Sequence, residues 1–407
     1  MSRGPRCARA LLRIACTSAS VAAIVTVLQA LGYFEGLEAR WIDGMARVFR
    51  PVPSGQVVLV AITDDDFARP DLFAGTSPLD PATLTRLLQR VAEHRPSVVA
   101  IDIQLQPAPY EPEKRLRSRL QLYDTLLKLA REGTTDWILV LPEPWQEAAS
   151  GVAPEAKAAW LGLQRISGQR PPRLRWASAY ITLERGLVRR MAARRPGEGT
   201  GDEKATLLAA VVGEESVHAG REPMLIRYTD RFGVNATSLQ AIGAGELMAP
   251  AVGPSTATIL TGKSVFVGGV HRASRDFFWT PLGEMAAAQI WAEAVDTAVR
   301  GDAPHPLAPS IAFLVETAVG VGGGLLMLRF NPLAGYALSF LVLVPLTALL
   351  SWFSVATGLV LVTSIPSFFA AQLHQRIELW HENRHLRRRN RELEEKLRSR
   401  SAHSTGR

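Results

Sequence analysis

Cysteine is almost missing from this 407-residue chain: only Cys7 and Cys16 occur, both near the N-terminus. That excludes a disulfide-stapled scaffold and any cysteine-based zinc site. The usual catalytic signatures are missing too. There is no Gly-x-Ser-x-Gly elbow, no phosphate-binding loop and no dinucleotide fingerprint, so an enzyme is not expected. No internal repeat is evident. A charged fraction of 21% and an aromatic fraction of 7% are ordinary for folded chains, which sets aside low-complexity disorder. The length exceeds that of most single compact domains, so more than one structural region is expected.

Charge is also missing from long stretches. Residues 14–34 carry none and follow Arg3, Arg6, Arg9 and Arg13. About 20 apolar residues cross a bilayer core as a helix. An uncleaved anchor is expected here; a cleaved signal peptide is the competing reading, but Gln29-Ala30-Leu31-Gly32 makes a poor cleavage site. A second apolar run, 310–328, is broken only by Glu316. From Leu333 to Gln375 no Asp, Glu, Lys or Arg occurs. One helix of that length would reach roughly 65 Å, about twice a bilayer core, so two spans are expected, 333–350 and 355–373. Interfacial aromatics at Trp352 and Phe353 suit the turn between them.

The charge distribution orients those four spans. Residues 1–13 sum to +4 and residues 376–407 to +5, out of a net +8 for the chain. Basic termini flanking spans stay cytoplasmic, which places the 36–308 region on the outer side of the membrane. The pI near 9.8 is therefore a topological signal, and no nucleic acid is expected as partner. Glu316 would sit inside the membrane, either as a functional group or reaching toward water.

The outer region reads as α/β. Val57–Ile62, Val98–Ile103, Trp137–Leu141 and Ser264–Gly268 are apolar runs without alternation, as in strands buried on both faces of a parallel sheet. Helical spacing separates them: Leu84, Leu87, Leu88 and Val91 after Asp80-Pro81, then Leu116, Leu120, Leu127 and Ala130, and finally Ala287–Val299 stopping at Gly301. The fold class expected is α/β, with a mixed, mainly parallel sheet and flanking helices. A hairpin inserted in the sheet is expected over 176–190, around Glu184-Arg185-Gly186. Surface loops or insertions are expected over 145–172 and 192–203, which are rich in Ala, Gly, Pro and Arg.

Several of these segments carry a family pattern. Trp41-Ile42-Asp43 opens the outer region, followed by VVLVAITDDDF, VVAIDIQL, SVFVGGVHRASRDFFWTPLGEM and IWAEAVDTAVRGD. In this order, and ahead of three consecutive apolar spans, they resemble the second type of CHASE domain, a bacterial extracytoplasmic sensory module. The sequence departs from that pattern at Arg69–Phe73, which lacks tryptophan, and at Ala287 and Trp291, where glycine and histidine are common. The resemblance implies a sensor. Family members usually continue into a cyclase or kinase; here only a short polar tail follows the spans, so a separate cytoplasmic or membrane partner is expected.

Asp64 and Asp102 fall at the C-terminal ends of two expected strands, and His271, Arg272, Arg275 and Asp276 follow a third. Open parallel sheets bind ligands at that edge, so these six are candidate contacts for an unidentified small ligand. Helix capping and loop salt bridges are the competing roles. No cofactor and no metal is expected: His381-Glu382-Asn383-Arg384-His385 fits a zinc-protease pattern, but too little chain follows to complete it. The 376–400 tail reads instead as a coiled coil. Leu379, Leu386 and Leu393 occupy one seam position and Asn383, Asn390 and Leu397 the other, which implies a homodimer. The competing reading is a basic helix on anionic lipid. Three functions remain open: a sensor, a non-enzymatic scaffold of an envelope complex, and a small transporter using Glu316.

Overall fold

The computed structural model describes residues 4–48, 50–141, 151–165, 173–195, 204–213, 223–229, 238–250, 258–306 and 308–329, with scattered positions from 338 to 392. The chain divides into two units, Ile42–His305 and the combination of Met1–Trp41 with Pro306–Arg407.

The first unit is built on a six-stranded sheet. In chain order its strands are β1 (Val57–Ile62), β2 (Val98–Asp102), β3 (Asp136–Val140), β4 (Leu174–Ala177), β5 (Gln240–Gly243) and β6 (Ser264–Gly269). Their spatial order is β4-β3-β2-β6-β1-β5, and every pairing is parallel. A parallel strand needs a crossover on a sheet face, so the central strands lie covered on both sides. β1 shows this directly: all six of its residues are buried. Val58, Val60 and Ile62 join one core, while Val57, Leu59 and Ala61 join the other. Side chains of alternating direction along a strand give that partition.

Helices cover both faces. On the first lie α4 (Pro81–Glu93) and α5 (Glu113–Glu132), with α6 (Pro154–Arg165) and the short α8 (Ala244–Leu247) beside them. The Asp80 carboxylate accepts the Thr83 N–H at 2.9 Å and Pro81 opens α4, so one orphan donor is satisfied and the lost proline N–H costs nothing. Leu84, Leu87, Leu88 and Val91 then face the sheet, each contributing about 1.5–3 kcal/mol by burial. The second face is covered by α7 (Leu207–Val212) and α9 (Ala287–Arg300), the latter buried from Ala287 through Thr297. Gly301 ends α9 at φ 65°, a left-handed conformation in which glycine carries no Cβ penalty.

Three expectations are corrected. The hairpin over 176–190 is not part of the sheet: β4 stops at Ala177, the Ser178 N–H turns to the Ala205 carbonyl, and only Glu184 and Leu187 pair across a tight turn. Arg185 and Gly186 both take positive φ there, as in a two-residue hairpin turn, but the ladder ends at once because the Val188 N–H goes to the Trp279 carbonyl. The expected loop at 145–172 contains α6, whose Ala156, Trp160 and Leu163 are buried in the first core. β5 was not expected; Gln-Ala-Ile-Gly has no apolar run, and pairing with β1 alone defines it.

The second unit contains α1 (Gly4–Ala30) and α10 (Pro309–Arg329). They pack closely: a Cβ on Gly320 would stand 3.0 Å from the Ser18 Cβ and Oγ. Glu316 is 1% exposed, buried rather than reaching toward water. Among the described residues, no helix is long and apolar enough to cross a membrane. The stretch expected to span at 333–350 is described at six positions, all helical, and that at 355–373 only at Leu359–Val360, which are extended. Of the six coiled-coil seam positions, Leu386 and Asn390 are described, both helical; Leu379, Asn383, Leu393 and Leu397 lie outside the described residues.

Candidate functional site

The sheet order places β6 between β1 and β2, with β5 on the far side of β1. β1 and β2 run on into helices of the first face and β6 into α9 of the second, so the connections diverge beyond the carboxyl ends of these three strands, where open parallel sheets place their ligand sites. Registry aligns Ile62 with Gly269 and Asp102 with Gly268, so the three strands end nearly level.

After β1 the chain turns at once into α3 (Asp64–Ala68). Thr63 caps it: its hydroxyl accepts the Asp66 N–H, and the Asp66 carboxylate accepts the Thr63 N–H. Asp66 is buried and also accepts the Gly245 N–H at 3.0 Å, tying α3 to α8. Asp64 is exposed, and its Oδ1 accepts the Arg272 backbone N–H at 2.7 Å, joining the β1 and β6 loops. His271 is 4% exposed. Its ring stacks on Phe67 at 4.3 Å and its Nδ1 lies 3.3 Å from the Ile62 carbonyl. Burial lowers its pKa, so the ring is a neutral wedge between the two loops. Arg272 points outward over the Phe277 ring and pairs with Glu284 across the hairpin of β7 (Phe277–Thr280) and β8 (Gly283–Ala286).

The second half of the edge is acidic. Asp102 ends β2, half-buried, and burial pushes its carboxyl up to about 7, with the negative charge of Asp276 adding to the rise. The Asp276 carboxyl is raised as well, by the same loss of hydration. Among the described residues neither carboxylate forms an ion pair. The Asp276 carbonyl accepts the Ala287 N–H at the start of α9. A Cβ on Gly268 would stand 2.3 Å from the Ala288 Cβ and 3.5 Å from the Asp102 Cβ, so glycine is what lets α9 seat against β6. Arg275 is exposed and left-handed at φ 55°. The six residues thus share one edge: Asp64, His271 and Arg272 hold loops together, the charge of the exposed Asp276 acts on Asp102, and Arg275 stands exposed beside Asp276. Among the described residues no cluster of three His, Cys, Asp or Glu side chains could hold a metal ion.

Residues 20–328, about three quarters of the chain, match the family model of the CHASE2 domain. The chain belongs to the CHASE2 domain family. CHASE2 domains are extracytoplasmic sensory domains. No curated protein and no solved structure matches the chain.

Within the CHASE2 domain, buried polar links occur that single-sequence reading did not find. Asp43 holds Arg189 in a two-pronged pair, Oδ1 to Nε at 2.7 Å and Oδ2 to Nη2 at 2.8 Å, and Arg189 also donates to the Glu184 carbonyl at 2.6 Å. Glu111 accepts from Arg119 at 2.6 and 2.7 Å and from Arg115 at 3.0 Å. Arg119 and Tyr123 both donate to the Leu105 carbonyl, which fastens the loop after β2. Asp43 stood in a family motif; nothing in the sequence paired it with a residue 146 positions away.

Proposed function

We propose that this CHASE2 protein is a non-enzymatic membrane sensor: its outer domain takes up a polar small ligand at the β1–β6–β2 edge, and its membrane helices pass the resulting change to a separate partner. Four spans, 14–34, 310–328, 333–350 and 355–373, hold the domain outside with both termini in the cytoplasm. Charge-free runs and the basic excess at the two ends support that topology. The seam residues of the 376–400 tail support a homodimer inside, with tethering in the bilayer raising the effective concentration.

One observation carries the ligand reading. Asp102 ends β2 half-buried at this edge, with no ion pair among the described residues and the charge of the exposed Asp276 acting on it, so the folded domain holds a carboxyl that costs stability. A polar or cationic ligand donor placed between the two would relieve that cost. Small envelope solutes screened against the full chain in lipid nanodiscs should include one that raises Tm. A ligand present at a hundredfold excess over its Kd stabilises by about 2.7 kcal/mol, and Asp102→Asn should abolish the shift. Absence of any such ligand, together with envelope proteins that co-purify stoichiometrically, would establish a scaffold instead.

A further inference from the structure

Two turns into α9, away from the sheet edge, the carboxyl of Glu293 is fully buried on the second face of the sheet. Its Oε2 accepts the Thr229 backbone N–H at 3.0 Å and its Oε1 meets the Thr229 hydroxyl at 2.6 Å. That hydroxyl in turn accepts the Leu239 N–H at 3.2 Å. Glu293 therefore holds together both ends of the chain between Thr229 and Leu239, and does so from a helix that leads after Gly301 into α10. Thr297, one turn on, continues the attachment: its hydroxyl accepts the Arg227 N–H at 3.1 Å.

Arg300 acts on the carboxyl only through space. Among the described residues Glu293 makes no salt bridge, and the charges around it are otherwise engaged. On α9 itself, Asp296 accepts from Ser54 and from Arg300, which also pairs with Asp302. From the 223–229 segment, Arg227 pairs with Asp302, and Tyr228 donates to the Val188 carbonyl close to Arg189. α7, β1 and β6 bring no charged side chain to this face, and β8 brings only Glu284, which is turned outward to Arg272. Burial pushes the carboxyl up to about 7, the Thr229 hydroxyl and N–H act in the opposite direction, and of the neighbouring charges Asp296 adds to the rise while Arg300 opposes it.

The two protonation states differ in their bonding. As an anion, Glu293 accepts both Thr229 donors but carries an uncompensated buried charge. As a neutral acid it sheds that charge, and its own O–H can donate to the Thr229 oxygen. We propose that Glu293 is a proton-operated latch: uptake of one proton from the surrounding water tightens α9 on the Thr229–Leu239 attachment, and its release loosens that contact. This goes beyond the sheet-edge site and holds whether or not a small ligand binds there.

The sign follows from linkage. A carboxyl whose folded pKa lies above its unfolded one stabilises the closed state at low pH, and that contribution is lost as pH rises through the folded value. Amide hydrogen exchange on the full chain in nanodiscs, corrected for intrinsic rates, tests it at residues 224–229 and 239–243. Protection there should fall roughly tenfold per pH unit between about pH 5 and 7 and then level off, since one proton is linked to opening. Glu293→Gln should remove one proton's worth of that slope. Where Glu293→Gln does not fold, Thr229→Val should move the midpoint upward, because the hydroxyl favours the anion. An undiminished slope in Glu293→Gln, or an unmoved midpoint in Thr229→Val, would overturn the latch.

Discussion

Asp43 and Arg189 make the most demanding contact in the outer domain. Arg189 is 4% exposed, so its guanidinium has exchanged water for one carboxylate and one carbonyl. Removing one member of such a pair leaves the other charged and dry, at a cost of about 3–5 kcal/mol. Asp43→Ala should therefore lower the unfolding free energy of the purified protein by that much in chemical denaturation, and Asp43→Asn by less, since an amide oxygen still accepts. A surface pair such as Arg117 with Glu113, both about three quarters exposed, should change stability by under ~1 kcal/mol when broken. A measured cost for Asp43→Ala in that surface range would mean that Arg189 reaches water. At this scale the sequence was least informative. The candidate edge residues were visible because strand ends can be read from apolar runs. The partners of Asp43, Glu111 and Glu293 were not, because polar contacts across 8 to 146 residues leave no local pattern.

The elements were more legible. β1, β2, β3 and β6 follow from apolar runs without alternation, and α4 and α9 from spacing and end signals; each appears where those patterns place it. Elements defined by tertiary pairing were missed. β5 exists because β1 offers it an edge, and α6 because Trp160 and Leu163 find a core beside Tyr123 and Trp176. The contact between Gly268 and Ala288 is the element-scale feature most open to test. Gly268→Ala puts a methyl 2.3 Å from the Ala288 Cβ, and overpacking of that kind costs about 1–3 kcal/mol. Ala288→Gly alone should cost about 0.5–1 kcal/mol by helix propensity. The double variant should be more stable than the sum of the two single losses predicts, because removing the Ala288 methyl makes room for the new one. Strict additivity in chemical denaturation would show that α9 does not rest on β6 through this pair.

At the scale of the whole molecule, family membership and the parallel sheet agree with the α/β sensory region read from the sequence. The membrane arrangement rests on charge-free runs and basic ends, features of the polypeptide that a bilayer acts on directly. It also gives α9 a role: the helix that starts at the candidate edge and carries Glu293 is joined by the 301–308 stretch to α10, the first of the three proposed trailing spans. In the proposed arrangement, a cue that changes how α9 sits has a short covalent route toward the bilayer. Residues 42–305 are proposed to fold on the outer side of the membrane. Arg117, on the solvent side of α5, is a suitable reporter, since its exposed pair with Glu113 contributes little. With Cys7 and Cys16 replaced by serine and Arg117→Cys introduced, intact spheroplasts should react with a membrane-impermeant maleimide as fully as lysed ones. Labelling that appears only after lysis would place the domain inside and contradict the account.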